Sequence, residues 1–272
     1  MRLALALVLA LAGATPAAAA PVPAFSHVVV IVFENKERGS VLGSGAAPTF
    51  DRLARQGADL TRYHGVTHPS LPNYLALVSG STWGITSDCT SCAVAGPSLA
   101  DSLAAAGRTW KTYAEGLPRQ GFAGPWAGRY AKKHDPFAYF TGAQLDRIVP
   151  LTQLQRDLAA RALPDFALVV PDLCHSTHDC PMAAGDAWLA QLVPPLLRLP
   201  GTAVFVVFDE GATSAGGGGH VAALVAGTVV RPGSRFGGLT GHYGLLRTIE
   251  DAWRLPRLGI SAKAAPITGI WR

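Results

Sequence analysis

Ser70 stands in the stretch THPSLPNYLALVSG, Thr67 to Gly80, between Pro69 and Pro72, with His68 upstream and an apolar run downstream. Proline restricts the backbone on both sides and is tolerated in a first helical turn, so LPNYLALVS starts a helix with Ser70 as its N-cap. A capping serine is an ordinary feature. A hydroxyl at the positive end of a helix is also where a nucleophile would meet an anion, because the unpaired amides there hold phosphate oxygens. Glu34 and Asn35 follow the apolar run HVVVIVF, and Asp209 and Glu210 follow AVFVVF. With the Ser70 oxygen they make an oxygen-rich set suited to one hard divalent cation of the magnesium, calcium or manganese class. Carboxylates alone would repel a phosphate by about 4 kcal/mol per contact at ~4 Å and an effective dielectric of ~20. A dication reverses that balance and lowers the pKa of the serine. Phosphate-ester cleavage therefore fits the set better than acyl transfer. His68, His175, His178 and His242 are the histidines placed to touch phosphate or supply a proton; His27, His64 and His220 read as structural.

The elements that must carry these residues are legible as alternation. Nearly continuous apolar runs occur at HVVVIVF, FALVVP, AVFVVF and HVAALVAG, as in strands buried on both faces. Helical patterns lie between them: PTFDRLARQG, SLADSLAAAG, LTQLQRDLAARAL, GDAWLAQLVPPLLRL and YGLLRTIEDAWRL. The expected architecture is a three-layer α/β sandwich with a largely parallel central sheet. Ligands of such sheets sit outside the carboxyl ends of the strands, where the acidic and imidazole residues gather. The segment from Gly116 to Phe140, rich in glycine, proline and aromatics, reads as a long loop over the site.

Residues 1–20, with Arg2, an apolar run and small residues, have the pattern of a secretory leader cleaved between residues 19 and 24. Residues 21–272 suffice for a single domain and contain no apolar run long enough to span a bilayer. The expected protein is secreted, with no stable membrane insertion. A formal charge of +5 suits an anionic partner, but the basic residues are dispersed without the stripe that nucleic-acid binding predicts. The four cysteines fall as two close pairs. In an exported chain two disulfides are expected; three connectivities are open, with Cys89–Cys92 and Cys174–Cys180 favoured over a four-cysteine zinc site.

At VVIVFEN, THPSLPNYLALVSG, RYAKKHDPF, PDLCHSTHDC, GDAWL, VVFDEG, GHYGLLRTIEDAW and APITGIW, the chain resembles the bacterial phosphoesterase family of the alkaline-phosphatase superfamily. That family holds secreted acid phosphatases, phosphatidylinositol 3-phosphatases among them, and phospholipases C. The resemblance implies an alkaline-phosphatase-like fold and a phosphate-ester small molecule or phospholipid headgroup as substrate. It implies that Ser70 is transiently phosphorylated, with Asn73 in the matching Ser-x-Pro-Asn segment. Glu34, Asn35, Ser70, Asp209 and Glu210 match the ligands of a single metal. His178 and Asp179 match a catalytic His-Asp pair, and Lys133 and His134 a substrate-binding segment. Ser176-Thr177 depart from the family's usual Asp-Met, and Asp88 stands in the region where many superfamily members place a phosphate-binding asparagine. A phospholipase C-type diesterase, a serine esterase using Ser70, His242 and Asp179, and a non-catalytic phosphate or metal binder are the competing readings.

Overall fold

The computed structural model describes residues 21–272; the expected leader, residues 1–20, lies outside the described residues. A mixed sheet of eight strands forms the centre. Its order is Ser234–Phe236, Ala58–Leu60, Ala223–Ala226, Thr202–Phe208, His27–Phe33, Phe166–Val170, Trp110–Ala114 and Ile148–Pro150. Ala223–Ala226 runs antiparallel to both neighbours, and the other pairings are parallel. The sheet is thus largely parallel, as the continuous apolar runs require: every residue of Thr202–Phe208 and Phe166–Val170 is buried.

His27–Phe33 lies between Thr202–Phe208 and Phe166–Val170, in register from Phe33↔Phe208 and Ile31↔Val169. Three strands therefore end together, with Glu34, Asp209 and the loop after Val170 at one edge. Helix Ser70–Ser79 packs on His242–Trp253, and Pro48–Gln56 packs on Met182–Leu197. Phe33 meets the second pair through Phe50 and Trp188, at ring distances of 5.0 and 5.9 Å. The next residue, Glu34, meets Ser70 of the first pair. Side chains alternate across a strand, so the two helix pairs cover opposite faces and the sandwich has three layers.

Local sequence explains the helix ends. Pro48 opens Pro48–Gln56, and Asp186 of the facing helix accepts from the Thr49 and Phe50 amides at 2.8 and 3.2 Å. Ser98 and Asp101 form a capping box on Leu99–Ala105. Three expectations need correction. Pro69, in extended conformation, takes the N-cap position, so Ser70 is the first helical residue. HVAALVAG yields a strand only over Ala223–Ala226, because His220 and Val221 instead bridge His64 and Glu37. The segment from Gly116 to Phe140 is not one loop: it contains a hairpin, Trp126–Ala127 with Tyr130–Ala131, and two 3-10 turns, Lys132–His134 and Pro136–Tyr139. Its aromatics drive this, since Tyr130, Phe137 and Tyr139 are buried against the core. No described helix is long and apolar enough to cross a membrane.

Candidate active site

The strand end delivers Glu34 into complete burial. Ser70 Oγ donates to Glu34 Oε2 at 3.0 Å, and Tyr74 Oη donates to Glu34 Oε1. Ser70 and Tyr74 are four residues apart on one helix, so they share a face and close on the same carboxylate. Burial, then the Glu34 charge, pushes the Tyr74 phenol well up, which keeps it a donor. Asn35 adopts the left-handed conformation, φ 56°, which asparagine tolerates. Its amide donates to Asp209 Oδ1 at 3.1 Å, beside the Glu210 amide at 2.6 Å. Burial first, then the Asp209 charge, pushes the Glu34 carboxyl well up, and burial also raises Asp209. Two buried carboxyl groups thus face one another.

The opposite wall comes from two loops. Lys133 Nζ donates to Asp88 Oδ2 at 2.8 Å and to His178 Nε2 at 3.3 Å. Asp88 Oδ1 in turn accepts from the Leu71 amide at 2.9 Å, next to Ser70. His178 Nδ1 pairs with Asp179 Oδ1 at 2.6 Å. His134 is buried, stacks on Tyr74 at 5.3 Å, and puts Nε2 3.4 Å from Glu34 Oε1. Burial, then Lys133, holds its pKa well below the ordinary value, so the ring is neutral. The loop bearing His178 is closed by the Cys174–Cys180 disulfide and tied to the strand end: Thr177 Oγ1 donates to the Glu34 carbonyl at 3.0 Å, and the Glu34 amide to the Ser176 carbonyl at 2.8 Å. Gly185 lets this loop lie on Met182–Leu197, because a Cβ there would be 2.5 Å from Thr177 Cγ2 and 2.8 Å from the His175 carbonyl. Cys89 pairs with Cys92, so both local disulfides are present and no described cysteine is free for zinc.

Other expected site residues are placed elsewhere. Both ring nitrogens of His242 are engaged, with the Asp209 carbonyl at 2.6 Å and Tyr63 Oη at 2.9 Å. Burial pushes its pKa down to about 4, and its position braces the Asp209 backbone. The esterase triad is therefore not assembled: His242 faces Tyr63 while Asp179 faces His178. Asn73 accepts from the Val66 and Thr67 amides at 2.8 and 3.1 Å and donates to the Thr67 and Pro69 carbonyls, shaping the approach to Ser70. Glu210 lies beside Asp209 but pairs with His68 Nδ1 at 2.6 Å; burial, then Asp209, pushes its carboxyl up to about 7. His175 turns away to Glu115 Oε2 at 2.9 Å and stacks on Trp188. Glu115, Asp172 and His175 have ligand atoms within 4.8 Å of one another, a second metal-competent group beside a cleft of about 670 Å³. Sequence reasoning missed Tyr74 and Glu115; the four-residue spacing of Tyr74 from Ser70 was the available signal.

The Glu34 group fits a hard cation. Asn35 Oδ1 and Asp209 Oδ2 are buried without a hydrogen-bond partner, which costs stability unless a further group meets them. Together with Glu34 they offer neutral and charged oxygens beside the Ser70 hydroxyl, the donor chemistry that magnesium, calcium or manganese takes.

The chain matches the Phosphoesterase family over residues 40–256. It is 35% identical over 256 residues to a phosphatidylinositol-3-phosphatase of Mycobacterium tuberculosis, covering 92% of this chain and 84% of that one. An acid phosphatase of Aspergillus fumigatus is 30% identical over 226 residues, 76% of this chain and 51% of that protein. The chain thus spans about half the length of this fungal relative. Among solved structures, an alkaline phosphatase superfamily protein of Vibrio parahaemolyticus superposes with a TM-score of 0.61 at 14% identity, covering 86% of this chain and 68% of that one. A phosphonate monoester hydrolase of Silicibacter pomeroyi superposes at 0.57 and 10% identity, over 89% and 76%. These likenesses give an alkaline-phosphatase-superfamily fold, and the chain belongs to the Phosphoesterase family, a hydrolase of phosphoric ester bonds.

Proposed function

We propose that the chain is an exported, metal-assisted acid phosphatase that hydrolyses phosphate monoesters, phosphoinositides among them, through a phosphoserine at Ser70. The observation that carries this reading is the Ser70 hydroxyl at the start of a buried helix, 3.0 Å from Glu34 and beside Asp209. The named relatives support the substrate class: they are phosphatases of a phosphoinositide and of unspecified esters. The leader-like residues 1–20 and two disulfides support export.

Glu34, Asn35, Ser70 and Asp209 would hold the divalent ion, with Glu210 adjoining. When bound, the ion neutralises the carboxylates, acidifies the serine and draws charge from the transferring phosphoryl group. Ser70 Oγ attacks phosphorus while the ester oxygen departs, and the Ser70 proton already points at Glu34 Oε2. Tyr74 keeps Glu34 in place from its other oxygen, and the His134 ring stacks on Tyr74. Lys133 supplies the fixed positive charge for the phosphoryl oxygens. His178, oriented by Asp179 through Nδ1, is the general acid that gives a proton from Nε2 to the leaving alcohol. Water then attacks the phosphoserine and gives its proton to His178, while Ser70 Oγ departs and takes back the proton that Glu34 Oε2 accepted.

The test is turnover of an aryl phosphate and of a phosphatidylinositol phosphate by wild type and Ser70→Ala, each with and without chelator. Loss of turnover in the variant and in chelated wild type is expected. A folded Ser70→Ala retaining a tenth of the wild-type rate would remove Ser70 from the role.

A further inference from the structure

Two hydrogen-bond donors, one on the residue next to Ser70, meet on an anion that belongs to the protein. The Leu71 amide, at the start of the ten-residue helix, donates to Asp88 Oδ1, and Lys133 Nζ donates to Asp88 Oδ2. An incoming phosphoryl group must share both donors with a carboxylate. We propose that Asp88 is the charge selector of the site: it admits monoanionic phosphate esters and disfavours dianionic ones. This deepens the Ser70 reading and rests on it.

Asp88 is held where it stands. The next residue, Cys89, is bridged to Cys92, and the Cys89 carbonyl accepts from Tyr139 Oη at 3.0 Å. The Asp88 carboxylate is held through its two oxygens by the Leu71 amide and Lys133 Nζ at 2.9 and 2.8 Å. Its negative charge is felt across the site, since it contributes to raising Glu210, Tyr74 and Tyr139. Lys133 touches the carboxylate and His178 touches Lys133, and the other groups within reach of its charge are Tyr74, Glu210 and Tyr139. Lys133 is buried and hydrogen-bonded to the carboxylate, so Asp88 offsets the positive charge that would otherwise favour the dianion.

A phosphate monoester has a second pKa of about 6. Below it the monoester is a monoanion, above it a dianion, whereas a diester is a monoanion throughout. A fixed carboxylate repels a dianion about twice as strongly as a monoanion at the same distance. The substrate's own ionisation thereby becomes part of the pH dependence: monoester turnover falls as the dianion forms, and diester turnover does not fall for this reason. Neither bond making nor bond breaking changes; Asp88 acts on which ionic form is admitted.

The experiment compares kcat/KM for an aryl phosphate and for its methyl diester, between pH 5 and pH 8, in wild type, Asp88→Asn and Asp88→Ser. Asparagine keeps an oxygen for the Leu71 amide and removes the charge; serine removes the charge by a different shape, so a folding defect in one does not end the test. The monoester-to-diester ratio at pH 8 should rise about tenfold in both variants relative to wild type, with little change at pH 5. An unchanged or lowered ratio in the folded variants would overturn the selector, leaving Asp88 as a tether for Lys133. Ser70→Ala run alongside separates the two claims: an active Ser70→Ala defeats the Ser70 reading, and an inactive one with an unchanged ratio in the Asp88 variants defeats the selector alone.

Discussion

Asp135 follows the site residue His134 and sits in complete burial between the two 3-10 turns. Its Oδ1 has no hydrogen-bond partner, and Tyr130 Oη reaches Oδ2 only at 3.5 Å. Burial pushes the carboxyl up to about 7, and the weaker pull of Thr112, Tyr130 and Lys132 does not restore it. A raised carboxyl contributes stability that is fully present below the unfolded value of about 4 and is lost as pH rises through about 7. Over about three pH units at 1.36 kcal/mol each, the loss approaches 4 kcal/mol. Asp135→Asn is nearly isosteric and cannot ionise. Urea unfolding of both proteins, in chelator, should show the variant gaining about 4 kcal/mol on wild type between pH 4 and pH 8. Taking the difference cancels titrations common to both. Among these is His242, whose lowered pKa works the other way and costs stability as pH falls from about 6.5 towards 4. Stability curves that stay parallel across this range would show that Asp135 does not ionise with a raised pKa in the folded protein.

Glu34→Gln and Asp209→Asn should each lower bound divalent metal and turnover together, measured by elemental analysis beside a rate assay; full metal content in an inactive variant contradicts the ligand assignment. Reducing the Cys174–Cys180 bridge should cost only about 2 kcal/mol, its loop being short, yet slow turnover before the domain unfolds, because that loop orients His178 against the Glu34 backbone. Peptide mapping that joins Cys89 to Cys174 would contradict the pairing. Gly185→Ala should cost about 1–3 kcal/mol by overpacking and reduce kcat more than KM, as Thr177 and His178 are displaced; wild-type kcat in the folded variant would show that the loop has room to give.

Much of this architecture is legible in the sequence because buried parallel strands must be continuously apolar, and HVVVIVF and AVFVVF are. Their shared end, with Glu34 and Asp209 side by side, follows once the two pair in register. The short strands Ala58–Leu60, Ile148–Pro150 and Ser234–Phe236 were not legible, since three residues carry no period. The histidines divide for a related reason. His178 and His175 lie three residues apart in one bridged loop, yet the chain turns through Thr177 at φ 72° and sends them to different neighbours. His242 opens a helix beside the site, but its ring is consumed by the Asp209 carbonyl and Tyr63, which only the packed structure brings near. Local pattern shows that a residue stands at a strand exit; long-range contacts decide which way it faces.

The central claim is a covalent phosphoserine at Ser70. Wild type and Ser70→Ala, mixed with an aryl phosphate and quenched in acid within one turnover, can be digested and analysed by mass spectrometry. One added phosphoryl group is expected on the wild-type peptide containing Ser70, formed at a rate no slower than turnover, and none on the variant. A phosphoryl group on His178 instead, seen in a parallel quench in alkali where phosphohistidine survives, or turnover in wild type with no covalent species at any quench time, would contradict the claim.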